Sequence, residues 1–271
     1  MKPIAAIGYK AHEALMRSGG MAEPVPSFDG APYLLAANEV IWVGESKSAM
    51  HPRAVVLNPR ARAGAKRGET PKRFDIEGSL PWRPSPMRLG DRGSRALAEG
   101  ALVLKKRVAD IGPARGLAVL LEGRMPEFPL DQGVPRVRAL VKALEKGDPQ
   151  MVLDAAMPLL GFGPGLTPSG DDFVGAALFG RQLVDDSREW VDVAQKLATE
   201  VTARSHVISA ALFRDLIQGQ SFAPLHEMVA AFVVHESADR ARDAATRLVG
   251  VGQSSGWDML AGFIAGAAGT I

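Results

Sequence analysis

Apolar positions in the first third of the chain come in short runs separated by Pro, Gly and polar clusters. Pro32-Tyr33-Leu34-Leu35, Val40-Ile41-Trp42-Val43 and Ala54-Val55-Val56-Leu57 are each bounded by turn formers, which predicts strands. A helix over 11–17 precedes them, and a small β-barrel or sandwich running to about Leu89 is expected. From 92 to 107 the period becomes helical, with Leu97, Ala101, Leu102 and Leu104 as the apolar stripe, and 113–122 reads as a further short helix. The rest is almost wholly helical in pattern. One helix, 136–146, ends at Gly147-Asp148-Pro149, and the next, 150–160, ends at Gly161. Later helices are expected over 171–186, 189–217, 222–234, 236–249 and 256–267. The fold class is therefore α+β: an N-terminal small β-barrel or sandwich-like half (1–91), then an all-helical C-terminal half (92–271).

Composition narrows the setting. At 46% hydrophobic and 23% charged, the 271 residues read as an ordinary globular protein of one large or two modest domains. With no cysteine there is no disulfide framework and no Cys-based zinc site. The opening Met1 to Gly8 has too short an apolar run for a signal peptide, and no run of about 18 apolar residues predicts a membrane span. A cytoplasmic location is the expectation. The net charge of +2 hides an asymmetry. Residues 1–125 carry 20 Lys and Arg against 12 Asp and Glu, whereas 126–271 carry 12 against 18. Two regions with different surfaces follow.

Chemistry concentrates in Gly161-Phe-Gly-Pro-Gly-Leu-Thr-Pro-Ser-Gly-Asp-Asp172, four glycines and two prolines between two helical patterns. Either Thr167 caps the next helix with Pro168 in its first position, or Ser169 caps it with Asp172 three residues on. Both frames put free amides at the end of a glycine-rich loop, where a carboxylate or phosphate would be held. Asp171 and Asp172 repel each other, and a cation such as Mg²⁺ would relieve that while binding an anionic substrate. A purely structural account competes, since aspartates in a first helical turn are stabilised by the helix dipole by about 0.3–1 kcal/mol.

Gly252-Gln-Ser-Ser-Gly-Trp-Asp258 repeats the pattern: Ser169-Gly170-Asp171-Asp172 and Ser255-Gly256-Trp257-Asp258 each open an apolar helix. Small residues follow in both, Gly175 and Gly180 in one, Gly262 and Gly266 in the other, so the two helices are expected to cross near their N-termini. Residues 163–172 and 254–258 should then meet. In this reading Asp171, Asp172 and Asp258 do proton transfer or hold the divalent cation (Asp171 and Asp172 for the metal). Gly163, Gly165, Thr167, Ser169, Gly170, Ser254, Ser255 and Gly256 bind the substrate.

Other segments offer less. Ser205 and His206 are adjacent inside a long helical pattern, about 100° apart around the axis, so they cannot form a nucleophile–base pair. Arg204 or His206 could meet an anion at the helix surface. His12, His51, His226 and His235 lack metal-ligand spacing. The basic stretch 53–73 has no interleaved aromatics, which makes it a solvated loop face rather than a nucleic-acid surface. Walker-type, dinucleotide and Gly-x-Ser-x-Gly motifs are missing.

The first motif, with Phe173, resembles the signature of the AllH-like family of bacterial proteins, and Gly252-Gln-Ser-Ser-Gly-Trp-Asp-Met-Leu-Ala-Gly262 is similar to that family's second motif. Where relatives tend to have paired threonines before a helical Ser, this chain has Arg204-Ser205-His206 before Ser209. The family includes a subunit assigned to oxamate carbamoyltransferase in anaerobic allantoin (purine) breakdown, while other members carry labels such as carboxylase. The resemblance implies carbamoyl or acyl transfer on small carboxylates and phosphate, within a multi-subunit enzyme. The expected partners are a small anionic metabolite, other subunits and further copies of the chain. The alternative is a non-catalytic assembly subunit whose motifs serve helix capping and packing.

Overall fold

The computed structural model describes residues 2–25, 32–45, 50–58, 73–234 and 238–271. Most of the basic stretch, His235 and the expected start of the 236–249 helix lie outside the described residues. The chain divides into two compact units, residues 1–85 with 221–223, and residues 86–220 with 224–271.

The first unit holds β1 (Lys2–Gly8), α1 (Tyr9–Arg17), β2 (Glu23–Pro24), β3 (Tyr33–Ala36), β4 (Glu39–Gly44), β5 (Ala54–Leu57), β6 (Phe74–Asp75) and β7 (Pro81–Trp82). Its sheet runs β2-β3-β4-β5-β1-β6, with β7 also on β1. β3 and β4 form an antiparallel hairpin across Ala37-Asn38, both at positive φ, as a two-residue hairpin turn requires. β4–β5, β1–β6 and β1–β7 are parallel, and β1–β5 is antiparallel.

The expected barrel or sandwich is thus an open mixed sheet. Two features redirect it. The apolar opening run is an inner strand, β1, which pairs with β5, β6 and β7. Parallel pairs also need long connections instead of hairpins. Helix α1 places Ala11, Ala14 and Leu15 in one core with Ile7, Leu34, Ile41, Val55 and Phe74. A second cluster joins Met50, Ala54 and Val56 with Trp42, Trp82 and Ala223. All four residues of β5 are buried, as befits a strand covered on both faces. Within this unit the ring of Phe222 lies 4.6 Å from that of His51, and the Ala223 N–H donates to the Met50 carbonyl at 2.7 Å. Burial, helped by the Arg53 charge, pushes His51 down to about 3. Arg53, counted with the basic stretch, is itself buried and bonds Glu39 at 2.9 Å.

The second unit contains α2 (Asp91–Lys106), a 3-10 turn (Gly116–Glu122), α3 (Val134–Lys146), α4 (Pro149–Ala156), α5 (Ser169–Val184), α6 (Arg188–Arg204), α7 (Val207–Ile217), α8 (Ala223–Val233), α9 (Ala238–Val249) and α10 (Ser255–Ala268). Asp148 caps α4 by accepting the Met151 N–H at 2.9 Å, and Pro149 takes the first helical position. The central pair is α5 and α10. Every residue of 169–180 and of 256–267 is buried, the expected fate of a helix apolar all round. A methyl group on Gly262 would lie 2.1 Å from the Phe173 carbonyl oxygen, and one on Gly266 1.9 Å from that of Ala177. Glycine is what lets the two backbones touch. Among the described residues no helix is long and apolar enough to cross a membrane.

The expected helix 189–217 is two helices. Ser205 (φ −132°, ψ 172°) and His206 (φ −69°, ψ 148°) are extended between α6 and α7. His206 caps α7, its Nδ1 accepting the Ile208 N–H at 3.3 Å. Side-chain capping of this kind competes with helix continuation.

Candidate functional site

The two Ser-Gly-x-Asp segments meet. The hydroxyls of Thr167 and Ser255 lie 2.9 Å apart, and the carboxyls of Asp172 and Asp258 are close enough to perturb each other. The α5–α10 crossing brings the first turns of both helices under the loop 161–167.

Neither expected cap is used. Helix α5 starts at Ser169 behind an extended Pro168, and no side chain caps it. The Pro168 carbonyl instead accepts the N–H groups of Asp171 (2.9 Å) and Asp172 (3.2 Å). The hydroxyls of Thr167 and Ser169 are turned toward α10, to Ser255 and Asp258 respectively.

Asp171 and Asp172, adjacent in sequence, take different partners. Asp171 Oδ1 accepts the Gly161 N–H at 2.7 Å, while its Oδ2 accepts the hydroxyls of Ser209 (2.6 Å) and Ser205. One buried carboxylate therefore joins the glycine loop, the start of α5 and the α6–α7 break. Both oxygens of Asp171 thus accept N–H or O–H donors from outside its own helix. Among the described residues no three His, Cys, Asp or Glu side chains gather as a metal-binding group.

Asp172 and Asp258 each keep one unsatisfied carboxyl oxygen. Asp258 is fully buried, and its Oδ1 accepts the Leu117 N–H at 2.6 Å. Asp172 Oδ2 and Asp258 Oδ2 are buried without a hydrogen-bond partner. Burial, then the Asp258 charge, raises Asp172 well above the usual carboxylate range against the opposing Ser255 hydroxyl. Burial likewise raises Asp258 to about 7, opposed by the Leu117 N–H and the hydroxyls of Ser169 and Ser254. Two carboxyls so placed do not both ionise easily.

The predicted glycines divide by use. The amides of Gly170 and Gly256 are spent on the Phe162 carbonyl (2.8 Å) and the Val251 carbonyl (2.9 Å). A methyl group on either would strike a carbonyl, that of Leu159 at 2.0 Å or of Leu248 at 1.9 Å. They are packing glycines, so the expected open row of helix-start amides is largely consumed. Gly163 and Gly165 differ: both have positive φ (119° and 93°), and Gly165 has open space beside it. Thr167, Ser254 and Ser255 are all partly exposed; Ser255 hydrogen-bonds Asp172 and Ser254 hydrogen-bonds Asp258.

Four contributors escaped the sequence reading. A single expected helix over 189–217 hides the break that turns Ser205 and Ser209 toward Asp171. Gly116 and Leu117 carry no motif. Gly116 has positive φ, and a methyl group there would lie 2.3 Å from Asp258 Oδ1, so glycine lets the Leu117 N–H reach that oxygen. The i, i+4 spacing of Ser205 and Ser209 is the one signal available beforehand.

No curated protein and no solved structure matches the chain. Residues 159–267, the stretch holding Asp171, Asp172 and Asp258, match the family model described as oxamate carbamoyltransferase subunit AllH, in agreement with the resemblance read from the two motifs.

Proposed function

We propose that the chain is a subunit of a carbamoyl- or acyl-transfer enzyme that binds a small anionic metabolite over the Asp172–Asp258 pair. The carrying observation is the pair itself: two buried carboxyl oxygens without partners, with the hydroxyls of Ser254 and Ser255 on the two carboxyls and that of Thr167 on Ser255. Native proteins rarely leave such atoms unsatisfied without a use for them. The hydroxyls of Thr167, Ser254 and Ser255 would orient the substrate's carboxylate or phosphate. The protonated carboxyl of the pair would hydrogen-bond the reacting carbonyl oxygen, its ionised neighbour would accept the proton released by the nucleophile, and the carbonyl carbon's bond to the leaving group, phosphate in the case of a carbamoyl phosphate, would break with that group departing as its anion. The family description as a subunit supports work beside other chains.

For Mg²⁺, Asp172 and Asp258 are the remaining carboxylate ligands, since Asp171 is occupied by donors. Bound there, the cation would supply charge for a phosphate or carboxylate and displace the shared proton.

A second reading, a non-catalytic assembly subunit, draws on the saturation of Asp171 and the packing use of Gly170 and Gly256. Thermal unfolding of the full chain separates the two. Carbamoyl phosphate, oxamate, phosphate and Mg²⁺ are added in turn, to wild type and to Asp172→Asn. A ligand at 100 times its dissociation constant adds about 2.7 kcal/mol. Stabilisation of wild type that Asp172→Asn abolishes supports the site; no shift from any of them leaves the assembly reading.

A further inference from the structure

The helical unit has a cavity of about 680 Å³ built from the later half of α5 and from α6 and α7. None of the residues of the paired-carboxyl site lines it. Its size falls in the range of small-molecule sites, roughly 300–1,000 Å³. Phe179, Leu183 and Ile217 give it an apolar surface; Gln182, Gln195 and Arg214 supply amides and one cation. Arg214 is held in place: its Nη2 donates to Thr202 Oγ1 at 2.5 Å, and that hydroxyl in turn donates to the Ala198 carbonyl at 3.2 Å. Among the described residues no carboxylate pairs with Arg214, although the neighbouring Arg204 has Glu200. A fixed, unpaired guanidinium beside an apolar wall suits a ligand with one anionic head and one greasy body.

We infer that this cavity is a second binding site, for a small organic carboxylate with an apolar chain. The carboxylate meets Arg214 and the flanking glutamine amides, and the chain lies along Phe179, Leu183 and Ile217. The site is separate from the Asp172–Asp258 pair and stands whether or not that pair is catalytic.

The test is calorimetric titration of the full chain with hexanoate and with hexanamide, its uncharged counterpart. Hexanoate should bind saturably, and hexanamide at least about tenfold more weakly, the factor expected for losing a charge-assisted hydrogen bond. Arg214→Gln should bring hexanoate down to the level of the amide, Ala198→Phe should block both by filling the cavity, and Asp172→Asn should leave both unchanged. If Ala198→Phe does not fold, Gln218→Trp at the exposed rim serves as the filling variant. Equal affinity for the two probes, undiminished hexanoate binding by Arg214→Gln, or no saturable binding at millimolar hexanoate would each overturn the inference.

Discussion

Thr167 and Ser255, 88 positions apart, touch hydroxyl to hydroxyl at 2.9 Å. This contact joins the two Ser-Gly-x-Asp segments, one from the loop before α5 and the other from the first turn of α10. Thr167→Val and Ser255→Ala should each cost about 0.5–1.5 kcal/mol, the usual worth of a neutral hydrogen bond. In a double-mutant cycle by urea denaturation they should couple by at least about 0.5 kcal/mol; additive losses would mean the hydroxyls do not meet in solution.

Asp171 should matter more to stability than either hydroxyl. Asp171→Asn replaces an acceptor oxygen by a donor facing N–H or O–H groups, so a loss of roughly 3 kcal/mol is expected. Ser209→Ala should cost about half as much. A near-neutral Asp171→Asn in chemical denaturation would contradict the structural role given to this carboxylate.

The raised Asp258 makes a signed pH prediction. Its folded value of about 7 lies above the ordinary 3.8, so between these values the folded state holds the extra proton. Its contribution to stability is full below about pH 4 and is lost as the pH rises through 7. Asp258→Asn keeps an oxygen for the Leu117 N–H and removes the titration. The variant should therefore gain on wild type with rising pH, by an amount on the order of a few kcal/mol between pH 4 and 8. Parallel stability–pH curves for the two proteins would refute the assignment.

His51, in the other unit, should act in the opposite sense. Pushed down to about 3, it stays neutral when folded, so its contribution is present above pH 6.5 and is lost as the pH falls towards 3. Replacing His51 by Gln should flatten that acid limb, read by fluorescence of Trp42 and Trp82 during acid unfolding.

The α5–α10 crossing tolerates no side chain at its contact points. Gly266→Ala places a methyl group 1.9 Å from the Ala177 carbonyl and should cost at least about 2–3 kcal/mol in thermal unfolding. Gly165→Ala, with open space at its side, should be penalised through its φ of 93° alone, by about 1 kcal/mol.

The crossing was legible in advance because α5 and α10 are apolar all round and share a motif with small residues after it. The opening sheet was not, because its inner strand β1 is a short apolar run with no turn signal before it, and its edge strands are two residues long. At the site, local pattern located Asp172, Asp258, Thr167 and Ser255. It could not assign Asp171, whose partners come from Gly161 and from a helix break that propensity alone does not reveal, nor the Leu117 N–H, since a backbone donor leaves no mark in composition.

The brief return of residues 221–223 to the first unit has a practical consequence for dissecting this protein. The polypeptide passes between the units after Ser85, after Gln220 and after Ala223, so modularity in space is not modularity in sequence. A fragment ending at Ser85 would lack Phe222, the ring against His51, and the Ala223 amide that meets the Met50 carbonyl. Exposing that imidazole to water would release it from its acid-resistant state, and the isolated piece would titrate differently from the same residues in the whole chain.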